Sequence, residues 1–481
     1  MERKVKLQNY LAYGVGDFLG GGSLVIIGTF LLFFLTEVVG MVPFYAGLVF
    51  AVGKVWDGIS DPLMGYISDR TRSRFGRRRF YFLIGLVPSG VFFALLWFPI
   101  NIETQLGLFF YYLMLYIFFN TSYTILMVPY TALNAEMSLD YKTRSRLSGF
   151  KQFSSGVSSG ICSIGAQPII SYFPDQTTGF MVMGVLFALF FSLPYIAVFL
   201  GTWEARTDYG QVEKQTLAEI FKNFFSVFLN RSFRLHVIMY VSGFAGLDTV
   251  MALFMYFLTY YIGNPDLLPV LMASLFLSQG IAMPLHIKLG NTWGKGRAYM
   301  IGAVLWMLGM VIAYSYTPET PVFIMAAGAV VIGFGMAGVT VMPWAILPSV
   351  TDVDILITGD KRAGTYSGMM TLLRKIVNGL VAFFVGVALT LIGFESGQVQ
   401  TPDTQQSLRV LFALLPITFV FIGFLTSLRF KITPRNHQIM MDEISRLESG
   451  GSKADVDEET RKICEDFTGK KYEDLGCGSD S

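Results

Sequence analysis

Runs of roughly twenty apolar residues, broken by short polar stretches, recur along this chain and restrict it more than any other feature. A run of that length spans the hydrocarbon core of a bilayer as a helix. In water its side chains would need a cover that the rest of the chain cannot supply. Of 481 residues, 53% are hydrophobic and 15% are charged, and the mean hydropathy is +0.54, whereas a soluble domain carries about 25% charge. The chain therefore reads as an all-α, polytopic membrane protein. Spans fall near 10–36, 42–68, 80–100, 106–128, 146–172 and 180–202, then near 235–262, 268–288, 298–315, 320–345, 365–392 and 407–429. Twelve spans return both termini to one side.

Charge placement says which side. Lys and Arg gather at 70–79, at Lys142, Arg144 and Arg146, in the 203–234 connector, from Lys288 to Arg297, at Lys361 and Arg362, and at Lys431 and Arg435. The opposite loops, around 38–43, 101–105, 174–179, 264–266, 318–321 and 395–406, hold none. The positive-inside rule puts both termini in the cytoplasm. Met1 to Lys6 are charged and lead into an apolar segment without a small-residue cleavage site, so no removable signal peptide is expected. Cys162, Cys464 and Cys477 have neither metal-ligand nor disulfide-framework spacing.

The expected organisation is a six-helix bundle over 1–202, a connector over 203–234, a second six-helix bundle over 235–430 and a cytoplasmic tail over 431–481. Within the connector, Thr216 to Arg234 places Leu217, Ile220, Phe221, Phe224, Phe225 and Phe228 at helical spacing, an amphipathic helix for the inner membrane face. The tail is polar and of mixed charge, and is expected to be loosely held. The halves echo each other. Phe75-Gly76-Arg77-Arg78-Arg79-Phe80-Tyr81 matches Trp293-Gly294-Lys295-Gly296-Arg297-Ala298-Tyr299 in its aromatic, Gly, basic, Arg and Tyr positions. Pro129-Tyr130-Thr131-Ala132-Leu133 pairs with Pro343-Trp344-Ala345-Ile346-Leu347 at nearly the same offset. Two matches at a shared offset argue for two parallel six-helix repeats, with a substrate site between the halves near the midplane.

The stretch from Lys54 to Arg79 begins inside an apolar run and ends in arginines. Asp57 and Asp61 then lie roughly 12 to 18 Å from the polar surface near Asp69, at about 1.5 Å per helical residue. A carboxylate at that depth costs about 2.5 to 3.5 kcal/mol on the mildest scale. Two acids four residues apart share a helix face, and Lys54, three residues before Asp57, shares it too. Pro62 has no N–H and leaves the Gly58 carbonyl free between the acids. Oxygen ligands with a partial counter-charge suit a cation. The alternative is a fixed cluster neutralised by bases on neighbouring helices.

Other polar residues lie in the spans. Asp17 sits among Gly14, Gly16, Gly20, Gly21 and Gly22, which let a helix or ligand approach closely. Its carboxylate suits substrate hydrogen bonding, an internal salt bridge or a cytoplasmic edge. Lys375 is read as the partner of Asp57 and Asp61, with Arg374 reaching toward backbone or the cytoplasmic interface. Lys151 is a cavity residue or a snorkelling side chain, and Asp248 a helix-interface polar group or a substrate contact. Tyr123, Tyr130, Trp344 and Trp56, beside polar or proline-kinked positions, could stack on a sugar face.

Enzyme and pump readings fare worse. Gly156-Val157-Ser158-Ser159-Gly160 fits G-x-S-x-G, but it lies mid-helix without the strand a nucleophile elbow needs, and helix packing explains its small residues. Asp352-Val353-Asp354 resembles the DxD of a membrane-embedded glycosyltransferase, yet such an enzyme needs a large soluble catalytic domain. No G-x-x-x-x-G-K-[ST] is present for ATP-driven pumping.

Trp56-Asp57-Gly58-Ile59-Ser60-Asp61-Pro62-Leu63-Met64-Gly65, followed by Asp69-Arg70-Thr71-Arg72-Ser73-Arg74-Phe75-Gly76-Arg77-Arg78, resembles the glycoside-pentoside-hexuronide:cation symporter family. This is the melibiose-permease branch of the major facilitator superfamily. The likeness extends through Gly16-Asp17-Phe18, Val128-Pro129-Tyr130-Thr131-Ala132-Leu133, Asp352-Val353-Asp354 to Gly359, and Lys375. It implies cation binding by Asp57 and Asp61 with Lys375 nearby and a hydroxyl from Thr124, and sugar hydrogen bonding by Asp17 with help from Lys151. Melibiose permeases carry an acid where this chain has Met127 and a tryptophan where it has Thr131, so a galactoside-type site does not follow. The family also resembles animal lysophospholipid transporters at the Trp-Asp and Val-Pro-Tyr motifs, which makes a lysophospholipid or other amphiphile the second reading.

The expectation is a secondary active transporter and not an enzyme, with no catalytic residue, no cofactor and no metal beyond the coupling cation. It moves a glycoside or related sugar with Na+ or H+ by alternating access, as a monomer in a bacterial-type inner membrane, with no nucleic-acid partner. Sodium needs several oxygens, which Asp57, Ser60, Asp61, Thr124 and the Gly58 carbonyl can supply, whereas a proton needs one carboxylate; sodium is favoured. Lys54 and Lys375 balance the charge, and Asp17, Lys151, Tyr123, Tyr130 and Trp344 contact substrate.

Overall fold

The computed structural model describes residues 5–138, 140–204 and 225–477, and among them every regular element is helical. Helix α1 (Leu7–Gly14) passes through a 3-10 turn at Val15–Asp17 into α2 (Phe18–Ile26), which winds on through π turns at Ile27–Leu31 and Phe34–Val38. Then follow α3 (Pro43–Arg70), α4 (Arg79–Leu95), α5 (Gln105–Met137), α6 (Tyr141–Ser171), α7 (Gln176–Ser192) and α8 (Pro194–Gly201). After the connector come α9 (Arg231–Tyr256), ending in a π turn at Phe257–Ile262, α10 (Leu268–Trp293), α11 (Lys295–Tyr314), α12 (Val322–Thr358), α13 (Ala363–Leu391) and α14 (Pro402–Leu428). Two helices close the chain, α15 (Pro434–Glu448) and α16 (Glu458–Thr468). The expected amphipathic connector helix falls largely on 205–224, outside the described residues.

Among the described residues, nine helical stretches are long and apolar enough to cross a membrane. The other three expected spans are helical but fall short of that measure for physical reasons. Helix α3 carries Lys54, Asp57, Asp61 and Asp69, α6 is rich in serine, and α4 has only 17 residues.

The chain forms two compact units. The first comprises Met1–Val212, Asp248–Ala273 and Asn378–Phe412, the second Glu213–Leu247, Ser274–Val377 and Ala413–Ser481. In the first, α3 packs on α5, α2 on α6, and α4 on α5 and α7. The α2–α6 contact is made by glycine against serine: a Cβ on Gly21 would lie 2.4 Å from the Ser155 carbonyl oxygen, and one on Gly22 2.3 Å from Ser158 Oγ. The glycines beside Asp17 thus admit a helix. Gly156 and Gly160 behave differently, because a Cβ at either would meet nothing within 4 Å. Helix packing does not account for these two glycines; the α6 contact runs through its serines.

The repeat reading finds a local counterpart in each half. Gly76 and Gly294 occupy corresponding echo positions and share a left-handed backbone, φ +96° and +98°, which favours glycine. Pro129 and Pro343 both sit inside long helices, α5 and α12.

The tail is not loosely held. Helices α15 and α16 pack on each other and on α12, burying Met440, Ile444, Leu447, Ile463, Cys464, Phe467 and Tyr472. Ser232 Oγ donates to the Phe467 carbonyl at 2.7 Å, and the Cys477 amide donates to the Leu356 carbonyl at 3.3 Å. The polar composition hid two short amphipathic helices whose apolar residues recur three and four apart.

Candidate transport site

Helix α3 carries the charged cluster in the first unit. Lys54 Nζ donates to Asp57 Oδ2 at 2.9 Å, and both side chains are buried. The three-residue spacing places them one turn apart. Asp57 Oδ1 and Ser60 Oγ are buried and have no hydrogen-bond partner among the described residues. One turn further, Asp61 Oδ1 accepts from Thr124 Oγ1 of α5 at 2.8 Å. Pro62 lies inside the helix, so the Gly58 carbonyl lacks its usual donor. With both acids ionised, Lys54, Asp57 and Asp61 sum to one negative charge, the charge that one monovalent cation cancels. Two orphaned oxygens, Asp57 Oδ1 and Ser60 Oγ, are a costly arrangement without a ligand.

A second cluster forms around the 3-10 turn of the first span. That break sets Asp17 between α1 and α2 as a buried carboxylate. Lys151 Nζ of α6 lies 3.8 Å from Asp17 Oδ1 and 5.6 Å from the Tyr130 ring centroid, with its side chain 27% exposed. At 3.8 Å the two charges face each other without a close hydrogen bond. Of the aromatics assigned to substrate, Tyr123 is half-buried on α5. Tyr130 is fully buried, stacks on Tyr13 at 4.8 Å and donates its hydroxyl to the Tyr13 carbonyl at 2.8 Å. In this structure it packs against α1 and lies beside the Lys151 ammonium. Trp56 donates from Nε1 to Thr121 Oγ1 at 2.8 Å. Met127, beside Asp17 through the near contact of both with Gly20, accepts from the Tyr195 hydroxyl at 3.1 Å.

Lys375 and Trp344 belong to the second unit. Lys375 is half-buried on α13. Its neighbour Arg374 sets its guanidinium 4.6 Å from the Phe244 ring centroid, a cation–π contact. Trp344 is 45% exposed and meets Tyr240 edge-on at 5.6 Å.

Sequence reasoning missed two neighbours of Lys54. A Cβ on Gly53 would lie 2.3 Å from the Tyr116 ring and 3.3 Å from Asn120 Nδ2, and Lys54 Nζ lies 5.7 Å from the Tyr116 centroid. Tyr116, Asn120 and Thr124 recur every four residues, so one face of α5 covers the charged face of α3. That spacing was visible; only the pairing of the two helices was not.

The arginine-rich end of the unit is locked by charge. Arg77 and Arg78 both reach Glu136, and Arg78 also reaches Asp69 and Ser68. Glu204 accepts the backbone amides of Arg77, Arg78 and Arg79 at 2.9, 2.9 and 3.1 Å, an acid at the start of α4.

A family profile described as MFS/sugar transport protein matches residues 12–434. An uncharacterized symporter of Synechocystis is 27% identical, with 90% of this chain and 96% of that protein covered. The uncharacterized symporter YjmB of Bacillus subtilis is 27% identical over 92% of this chain and 96% of its own. Among solved structures, that of a D-xylose-proton symporter superposes with a TM-score of 0.61 at 17% identity, covering 89% of this chain and 98% of that one. The likeness in fold and the profile match over most of the chain lead to one conclusion: the chain belongs to the MFS/sugar transport protein family, and it is a transporter, not an enzyme.

Proposed function

We propose that this protein is a symporter that couples a monovalent cation to uptake of a glycoside or related sugar by alternating access, with twelve spans and both termini in the cytoplasm. The observation that carries the reading is the cluster on α3. There Asp57 keeps one oxygen on Lys54 and one bare beside the bare Ser60 hydroxyl, a turn from the Asp61–Thr124 pair. Oxygen atoms of this number and kind favour sodium over a proton. Asp17 and Lys151 take the substrate: a carboxylate accepts two sugar hydroxyls, and the ammonium donates to a third group. Lys375 enters from the sequence, as the charge that answers the α3 acids when no cation is bound. The relatives named as symporters, together with the sugar-transport family, support the class of reaction.

The test is uptake into proteoliposomes of labelled methyl glycosides, one neutral and one a hexuronide, under an imposed sodium gradient with pH clamped and ionophores present. Sodium-stimulated accumulation of either sugar is expected. Stimulation by a proton gradient alone would overturn the choice of cation. Uptake of a lysophospholipid with neither sugar taken would overturn the substrate class in favour of the amphiphile reading.

A further inference from the structure

The end of the first unit away from the arginines is held together differently. Here the segments 248–273 and 378–412 pack on the first-half helices. Glu37, just past the end of the first span, accepts from the Tyr260 hydroxyl and from the Gly397 amide at 3.2 Å, both on the same oxygen, Oε2. Its other oxygen, Oε1, is buried without a partner. One residue earlier, Thr36 Oγ1 and the Tyr256 hydroxyl share a hydrogen bond of 2.7 Å. An exposed carboxylate nearby is also held by neutral donors: Asp266 Oδ1 accepts from Ser171 Oγ at 2.5 Å and Gln167 Nε2 at 3.3 Å. Among the described residues no Lys, Arg or His reaches Glu37 or Asp266. Below them the backbones of α3 and α13 meet, and a Cβ on Gly386 would lie 2.3 Å from the Pro43 carbonyl oxygen.

We propose that Glu37 is a proton-sensitive latch on the outer face, closed when its carboxyl is neutral and released when it ionises. In the closed arrangement an ionised Glu37 leaves a bare charged oxygen out of water, whereas a protonated one does not. Burial pushes the carboxyl above its ordinary range, which the Tyr260 and Gly397 bonds only partly offset. Separation of the two segments from the first-half helices hydrates the carboxylate and returns it to that range. Protons therefore bind the closed form more tightly, and closure strengthens as external pH falls. The titratable groups facing Glu37 are Tyr256 and Tyr260. Arg409 lies over the Tyr261 ring at 5.5 Å, and Glu103, Asp175, Glu395 and Asp403 are exposed. The latch goes beyond the cation reading and stands or falls apart from it.

The experiment labels Thr29→Cys, buried beneath the latch, with a membrane-impermeant maleimide on intact cells. Rates are normalised at each pH to Val399→Cys, whose position is 94% exposed. The normalised rate should rise about fivefold or more between pH 5.5 and pH 8, the low end of ordinary coupling between sites. In Glu37→Gln it should stay low and flat with pH. A rate that ignores pH in the parent, or a Glu37→Gln curve that follows the parent, overturns the latch. Tyr260→Phe provides the second arm: it should raise the rate at acid pH, and an unchanged rate there also overturns it.

Discussion

At the arginine end of the first unit, buried guanidiniums close on Glu136 and Asp69. At the far end, Glu37 and Asp266 are held by hydroxyls and amides alone. Each end keeps one carboxylate largely out of water, Glu136 at the first and Glu37 at the second, while Asp69 and Asp266 are exposed, yet only one end supplies counter-charge. A carboxylate paired with arginine has its counter-charge beside it, a charge-assisted bond that fixes the joint. A carboxylate held by neutral donors keeps the choice of protonation, so the same residue type makes a fixed joint at one end and a releasable one at the other. Composition would not separate the two cases; the partner does.

The comparison breaks most visibly at the arginine end. Arg78→Ala leaves Glu136, whose side chain is 6% exposed, with Arg77 as its remaining base, so the cost lies below the roughly 3 to 5 kcal/mol of a buried pair broken outright. A sharp fall in the midpoint of thermal unfolding in detergent is expected, and a parental midpoint would show that the charge network is ornamental. At the far end, Gly386→Val drives a side chain into the Pro43 backbone, an overpacking of about 1 to 3 kcal/mol against the closed arrangement. Maleimide labelling of Thr29→Cys at acid pH should then rise; labelling as slow as in the parent would place the closure elsewhere. Tyr256→Phe removes a single hydroxyl bond to Thr36, about 0.5 to 1.5 kcal/mol, and should move the same readout in the same direction by less.

The smallest effect concerns the tail. Burial works against the charged form of Glu443, but hydrogen bonds from Arg446 and Tyr472 outweigh it and hold the carboxyl below its usual range. A lowered value means that the stabilisation is present above the ordinary carboxylate range and lost as pH falls, the opposite sign to Glu37. Limited proteolysis of the tail should therefore quicken modestly at acid pH, after correction for protease activity on an unfolded substrate. Tyr472→Phe should reduce that dependence.

How much of this was legible in the sequence depended on distance along the chain. Lys54 and Asp57 are one helical turn apart, and periodicity alone pairs them. Thr124 and Asp61 lie on different helices, and only the resemblance to a known family joined them. Glu37 and Tyr260 are 223 residues apart, and no local pattern marks either. Tyr130 sits beside a proline and a polar run, as a substrate-stacking residue would, yet the same position lets it lock against Tyr13. The tail misled through composition: so few apolar residues suggest a loose segment, but at helical spacing they suffice to dock two short helices on α12. Lys375 is a case of its own, since charge in a membrane span demands a partner that periodicity does not name.

The α3 acids are the centre of the proposed coupling, and one comparison tests them directly. In proteoliposomes, Asp57→Asn should fail to concentrate the labelled glycoside under an inward sodium gradient while still exchanging labelled for unlabelled sugar at equal cation on both sides. The parent should do both. If Asp57→Asn concentrates the sugar as well as the parent does, the cation is not coupled through α3, and the proposed mechanism is wrong.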